Sequence, residues 1–481
     1  MTTRESLFID GGWAESLGNH IISVHSASNG RLLGTAVSAI PADVDRAVAA
    51  ARTAFDDPTG WSSWPPDERA DVLDRMAAAL EASSDLTARM VSEQNGMPIA
   101  VSSQIEAKFP STIIRYYAGL VRSQREDTSR PGMFAGTTHL RREPVGVVAA
   151  VAPWNFPQTL AAQKYAPALA AGCTVVLKPS PDTVLDTQAV AVAAMEAGLP
   201  PGVINVVPAE AEASAYLIGH PAVDMVTFTG STAIGRRIAE ICGSLIRPVT
   251  LELGGRSAAI ILDDADLDLS RMGEAMFGAM LINNGQTCFL STRVLAPRSR
   301  YHEVVDTLAS FADSLAVGDA LDPSTQIGPL VSERRRHEVE AVIAKGIADG
   351  ARLVAGGDRP HGLDDGWFLE PTILADVDNG WQIARDDIFG PVLTVTEYND
   401  EEQAVALAND SDYGLAGTVW TEDPERGVAL ARRLRTGSVG INGYIPDISA
   451  PFGGVKHSGI GRELGPDGLA TYQRSKSIYQ M

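Results

Sequence analysis

Val145-Gly-Val-Val-Ala-Ala-Val151 is a short apolar run, and Pro153-Trp154-Asn155-Phe156-Pro157 follows it almost at once. Four more runs of the same kind come next, at 174–177, 203–207, 225–228 and 249–253. Helix-compatible sequence separates several of them. The stretch 186–197, for example, is stopped by Gly198 and Pro200. Alternating strand and helix predicts right-handed crossovers and an α/β fold built on a doubly wound parallel sheet. Ligands of such sheets bind beyond the carboxyl ends of the strands. The residues just after each run are therefore the functional candidates.

A second alternating set spans about 258–442, with strands expected at 259–262, 293–296, 392–396, 418–420 and 438–441 and helices at 333–349 and 402–408. It reads as a second α/β domain. Upstream, about the first 120 residues read as largely helical, with Asp43 a candidate cap and Val44, Val48, Ala51 and Phe55 on one face. Between these parts, 123–143 is polar and carries Pro131, Gly132 and Gly136, which suits a linker or an exposed hairpin.

The whole chain agrees with this division. Its 481 residues exceed one core, since single cores stop growing near roughly 250–300 residues. Acids outnumber bases 60 to 39, for a net charge of −21. Such a chain repels phosphate backbones and anionic lipid, so neither nucleic acid nor a membrane is an expected partner. No apolar stretch approaches the ~20 residues of a membrane helix, and residues 1–13 show no secretory signal. Three cysteines, Cys173, Cys242 and Cys288, do not form a disulfide framework and suit a reducing cytoplasm. No Cys/His cluster or His pair has metal-ligand spacing, so no metal is expected.

Four segments carry candidate chemistry. Phe228-Thr-Gly230-Ser231-Thr-Ala-Ile-Gly235 ends a strand and opens a helix. That is either a tight turn or a place where backbone approaches phosphate. Arg236-Arg237 stand where a P-loop needs Lys and then Ser or Thr, and Gly-x-Gly-x-x-Gly is absent. Cys288 follows Asn283-Asn-Gly-Gln-Thr, a polar approach unlike that of a buried structural thiol. Glu252 sits inside a β run just before Gly254-Gly255, either as a solvated strand end or as a buried base of raised pKa. Asn155, fixed between two prolines, either satisfies its own turn or donates to a developing oxyanion.

Together these segments resemble the NAD(P)-dependent aldehyde dehydrogenase superfamily. The likeness covers essentially the whole chain. It is carried by Pro153-Trp-Asn-Phe-Pro157, Gly172-Cys-Thr-Val-Val-Leu-Lys178-Pro179, Phe228-Thr-Gly-Ser231, Glu252-Leu-Gly-Gly255, Gly285-Gln-Thr-Cys288, Ile388-Phe389-Gly-Pro391, Pro451-Phe-Gly-Gly454 and Lys456-His-Ser-Gly459, in order. The resemblance implies that Cys288 attacks an aldehyde, Asn155 holds the oxyanion and Glu252 activates the water that hydrolyses the thioester. It implies that NAD, with NADP possible, is held by Trp154, Lys178, Ser180, Pro181, Gly230, Ser231, Leu253, Gly254, Asp387 and Phe389. It also implies a cofactor domain over 1–122 and 145–254, a catalytic domain over 255–455, and a bridging β element over 123–144 and 468–481 that builds a homo-dimer or homo-tetramer. Intact Cys288 and Glu252 argue against a silent relative and a CoA-acylating one.

Four departures stand out. Arg256 replaces the commoner Lys, and Asp387 the commoner Glu. Ala209-Glu210-Ala211 replaces a Gly-x-Gly, and Pro181 replaces the Glu frequent in NAD-preferring members. A weak preference for NAD is expected, with Asp182, Glu210 and Glu212 as the remaining acids near that end. The substrate pocket is expected to draw on Phe156, Leu160, Gln163, Thr287, Phe289 and residues 444–450. These residues do not select between aliphatic, aromatic and terpenoid aldehydes.

Overall fold

The computed structural model describes residues 2–124 and 127–481. Met1, in the expected cofactor domain, and Arg125 and Glu126, in the expected bridging stretch, lie outside the described residues. Among the described residues no helix is long and apolar enough to cross a membrane.

The five apolar runs form adjacent parallel strands. Their spatial order is Ile204–Val206, Thr174–Lys178, Val147–Val151, Met225–Thr229, Val249–Glu252. Helices cover both faces, so Val147–Val151, Thr174–Lys178 and Met225–Thr229 are buried throughout, which is why they read as unbroken apolar runs. The chain steps twice to one side of Val147–Val151, then returns and steps to the other. This reversal opens a crevice beyond the carboxyl ends of Val147–Val151 and Met225–Thr229.

The sheet is mixed rather than purely parallel. Ser6–Ile9 pairs antiparallel with Ile204–Val206 and with Gly12–Glu15, while Gly459–Ile460 pairs antiparallel with Val249–Glu252. The opening of the chain therefore departs from the helical expectation. Helices begin only at Pro41–Asp56; before it lie strands, including Ile21–His25 and Leu32–Val37 in a separate small sheet. Two local signals explain this. Asp10 and Gly11 both have left-handed φ, 55° and 75°, the Asp-Gly hairpin turn. Ile21–His25 alternates exposed and buried residues, the period of a half-buried strand. Asp43 is also not the cap. Ile40 holds that position, and Asp43, three residues on, accepts from the Ile40 N–H at 3.2 Å.

The second sheet is ordered Arg352–Ala355, Thr372–Ala375, Val392–Tyr398, Arg293–Pro297, Ala258–Ile261, Gly417–Trp420, Gly440–Ile441. Its pairs are parallel except for the first. The third element is a small antiparallel sheet in which Thr137–Pro144 pairs with Asp127–Pro131 on one side and Gln473–Gln480 on the other. The stretch 123–144 thus contains a hairpin. The expected element 468–481 starts inside the helix Gly465–Thr471, and its strand begins at Gln473.

Candidate active site

A cleft of about 650 Å³ opens at the crevice of the first sheet and reaches the second. Trp154, Asn155, Lys178, Ser180, Gly230, Ser231, Glu252, Leu253, Gly254, Cys288, Asp387 and Phe389 all line it. Pro181 does not; it starts the turn Pro181–Thr183, and the next residue, Asp182, faces the cleft instead. Glu210 also lies off the cleft, capping the helix Ala211–Gly219 with its carboxylate 3.9 Å from His20.

The loop that leads into Cys288 is held in an unusual shape. Asn283, Asn284 and Gly285 are consecutive left-handed residues, at φ 54°, 59° and 74°. Asn and Gly tolerate this region best. A Cβ on Gly285 would sit 2.1 Å from the Gly390 carbonyl oxygen, so the loop packs backbone to backbone on the turn after Phe389. The two asparagines anchor it. Asn284 Nδ2 donates to the Gly96 and Pro329 carbonyls at 2.8 Å each. Asn283 Nδ2 donates to the Asn155 carbonyl at 3.0 Å, and Asn95 Nδ2 donates to the same oxygen at 3.2 Å. Asn155 Nδ2 returns a bond of 3.0 Å to the Gln286 carbonyl. One of its two N–H groups is thereby fixed, which aims the other.

Cys288 is half-buried, whereas Cys173 and Cys242 are fully buried. Burial, then the charges of Glu252 and Asp387, push the Cys288 thiol up to about 12. Glu252 ends its strand, and its carbonyl accepts from the Gly230 N–H at 3.0 Å, tying the general-base candidate to the glycine turn. Its carboxyl is buried, with no hydrogen-bond partner on either oxygen among the described residues. Burial and the nearby Glu463 raise its pKa well above the ordinary carboxylate value, against the pull of Lys164 and Arg462.

Sequence reasoning missed Lys164 and Glu463. They form a fully buried ion pair at 2.5 Å, and Lys164 Nζ also donates to Thr229 Oγ1 at 2.6 Å. One lysine in a helix and one acid 299 residues later carry no local signal that they meet.

The end of the cleft at Lys178 and Ser231 has its own electrostatics. Lys178 is buried at the end of its strand, and burial lowers its ammonium to about 8 while Asp182 opposes the shift. Ser231 caps the helix Thr232–Ser244, accepting from the Ile234 N–H at 3.4 Å. That helix N-terminus faces the cleft, a position suited to phosphate. A Cβ on Gly254 would lie 2.2 Å from Asp387 Oδ2, so backbone and carboxylate meet where only glycine fits. Burial pushes the Asp387 carboxyl up to about 6, with Arg335 and Arg256 opposing. Arg256 itself is buried, donating to Ile383 O at 2.8 Å and to Thr394 Oγ1 at 3.3 Å. A cleft with a cation, a helix N-terminus and close-approach glycines fits a dinucleotide. Among the described residues no three His, Cys, Asp or Glu are grouped to hold a metal.

This fold, with a thiol and a buried carboxyl in one dinucleotide-sized cleft, is that of an NAD(P)-dependent oxidoreductase. Residues 13–478 match the model of the aldehyde dehydrogenase family. The chain belongs to that family and oxidises aldehydes to carboxylic acids with NAD(P). It is 51% identical to geranial dehydrogenase of Castellaniella defragrans, over 99% of this chain and 98% of that protein. It is 39% identical to 3-succinoylsemialdehyde-pyridine dehydrogenase of a Pseudomonas species, over 99% of both. Among solved structures, a Mycobacterium tuberculosis aldehyde dehydrogenase complexed with NAD+ superposes with a TM-score of 0.97 at 46% identity, covering 100% of this chain and 99% of that one. A mutant of aldehyde dehydrogenase C from Pseudomonas syringae, with NAD+ and octanal, gives 0.94 at 38% identity, covering 99% and 96%.

Proposed function

We propose that the substrate is an apolar, open-chain aldehyde, with Cys288 as nucleophile, Asn155 as oxyanion donor and Glu252 as base. The observation that carries the substrate reading is the wall beside the nucleophile. Phe289 and Tyr444 stack with ring centroids 4.7 Å apart, and the Tyr444 hydroxyl is tied to Ser438 Oγ at 2.6 Å, leaving the ring face to pack. Tyr444 lies within electrostatic reach of both Cys288 and Glu252. Phe156, next to Asn155, is buried and packs with Val91, Met97 and Leu160. Asp447 spends its carboxylate on its own turn, accepting from the Ser449 N–H and hydroxyl at 2.8 and 2.7 Å. The geranial and octanal relatives point the same way.

In this reading the Cys288 thiol gives its proton to water, the sulfur bonds the carbonyl carbon, and the carbonyl π pair moves onto the oxygen, which takes the negative charge. Asn155 Nδ2 and the Cys288 N–H hold that charge, worth about 3–4 kcal/mol per donor in comparable sites. NAD(P), when bound, supplies the hydride acceptor; Lys178, Ser180, Gly230, Ser231, Leu253, Gly254, Asp387, Phe389 and Trp154 would hold it. The resulting thioester on Cys288 is hydrolysed by water that gives its proton to Glu252. A carboxyl of raised pKa is a competent base near neutral pH.

We divide the chain into a cofactor domain of 1–122 and 145–254, a catalytic domain of 255–455 and a bridging element of 123–144 and 468–481. The edges of the small sheet support pairing between copies, hence a homo-dimer or homo-tetramer. Three free thiols support a cytoplasmic setting. The test of the substrate reading is kcat/KM for geranial, octanal, succinic semialdehyde and betaine aldehyde with one saturating cofactor. Geranial and octanal should exceed both charged aldehydes by roughly a hundredfold. A charged aldehyde turned over best would overturn it.

A further inference from the structure

Phe389 is a non-glycine residue in the left-handed region, at φ 54°. That conformation is disfavoured for a bulky side chain and persists only where the surroundings hold it. What holds it is Arg335, in the first turn of the helix Glu333–Asp349. Its guanidinium donates to the Ile388 carbonyl at 2.5 Å through Nη2 and to the Phe389 carbonyl at 3.3 Å through Nε. The same group lies 5.6 Å from the Phe389 ring centroid and bonds Glu338 at 3.0 Å. Arg335 lines the cleft.

The turn it holds touches both halves of the chemistry. The Phe389 ring meets Trp154 edge-on at 5.4 Å, next to Asn155. The carbonyl of Gly390 abuts Gly285, three residues before Cys288. Asp387, one residue before Ile388, is near enough for its charge to act on Cys288. Hydride leaves a carbon bonded to the Cys288 sulfur, so the reacting ring of the cofactor must occupy this end of the cleft. The helix N-terminus at Ser231 and the Lys178–Asp182 turn form its phosphate and far ends.

We infer that Arg335 is a positioning residue for the nicotinamide end of the cofactor: by donating to the carbonyls of Ile388 and Phe389 it locks the turn that presents Asp387 and Phe389 to the cleft. The inference rests on reading the cleft as the NAD(P) site. Two adjacent carbonyls suit a planar fork of donors. An ammonium offers one point charge and cannot reproduce it.

The test uses Arg335→Gln and Arg335→Lys in the full chain, with binding measured in the absence of aldehyde. NAD and AMP are titrated separately by quenching of protein fluorescence, AMP probing the far end alone. Both variants should bind NAD roughly tenfold more weakly than wild type, the loss of about one charged hydrogen bond. AMP affinity should stay within about twofold. The kinetic isotope effect with a C1-deuterated aldehyde should rise, as hydride transfer becomes slower than the steps after it. Equal weakening of NAD and AMP would mean general damage to the fold and overturn the inference, as would unchanged NAD binding. Full rescue by Arg335→Lys would overturn the two-carbonyl argument. Wild type that binds neither NAD nor AMP would overturn the cofactor-site reading instead. Should Arg335→Gln fail to fold, Arg335→Lys alone carries the same comparison.

Discussion

At the scale of the residue, the three thiols differ in surroundings, and their substitutions should differ accordingly. Cys288→Ser should cut turnover by roughly a thousandfold or more, because a neutral hydroxyl is a poor nucleophile and no other group replaces it. Cys173→Ser and Cys242→Ser, in the buried core, should stay active wherever circular dichroism shows them folded. Loss of chemistry in folded Cys173→Ser with Cys288→Ser still active would reverse the assignment. Glu252→Gln should acylate and then stall: rapid mixing should show a burst of reduced cofactor near one per site, then a rate lower by about 10²–10⁴. The same variant tests the field on the sulfur. A carboxylate charge beside a thiol disfavours the thiolate, and Glu252 helps push Cys288 up to about 12. Removing that charge must lower the thiol pKa, so the pH profile for alkylation of the cofactor-free protein by iodoacetamide should move to lower pH. A shift to higher pH would make Glu252 an activator of the sulfur instead. Cys288, Glu252 and Asn155 could be picked out as candidates because each sits in a polar setting out of place in its local pattern, and all three line the cleft. Lys164 and Glu463 could not, since a lysine on a helix ordinarily reads as solvated and only the folded chain brings its acid to it.

At the scale of the element, two devices fix the loops around the cleft. One is the contact of Gly285 with Gly390. Gly285→Ala must place a Cβ 2.1 Å from a backbone oxygen at φ 74°, so it should cost more than about 3 kcal/mol, combining a left-handed penalty with backbone displacement. Urea titration should show a midpoint well below wild type, and an unchanged midpoint would mean the loop is looser than drawn. The other is Glu106, buried at the start of the helix Pro157–Ala171, where it accepts from the N–H groups of Gln158 at 2.8 Å and Thr159 at 3.3 Å. Burial pushes its carboxyl from 4.5 up to about 7, against the hydrogen bonds of Thr159 and Gln158. An acid with a raised folded value binds its proton more tightly when folded, so its contribution to stability falls as pH rises from about 4.5 to about 7. The urea midpoint of wild type should therefore lose a component between pH 5 and 8 that Glu106→Gln lacks. Central strands were legible from their apolar runs. The two-residue strand Gly459–Ile460 was not, because no periodicity exists in two residues.

At the scale of the whole molecule, two α/β sheets follow from alternation of strand and helix, which fixes the hand of the crossovers and limits topology without setting strand order. The mixed edges escaped because an edge strand is recruited by its neighbours more than by its own sequence. Pairing of copies is a molecular property too: light scattering at micromolar concentration should give a dimer or tetramer mass, and a monomer would remove the proposed role of Thr137–Pro144 and Gln473–Gln480. With Pro181 off the cleft and Asp182 on it, NAD should be favoured over NADP by less than about a thousandfold, ~4 kcal/mol, in kcat/KM. Asp182→Asn should raise NADP use about fivefold, the scale of one exposed charge–charge interaction. A stronger native preference, or no response to Asp182→Asn, would place discrimination elsewhere.

The distribution of sulfur has a practical corollary. With two cysteines sealed in the core and the third at the cleft, the native chain carries its own tally mark. The mass added per chain by a small thiol reagent before unfolding counts competent sites, and labelling after unfolding counts all chains. Their ratio converts a rate per milligram into a rate per working site. Peroxide should spoil that same sulfur first, so an ageing stock should lose turnover while its melting curve stays where it was.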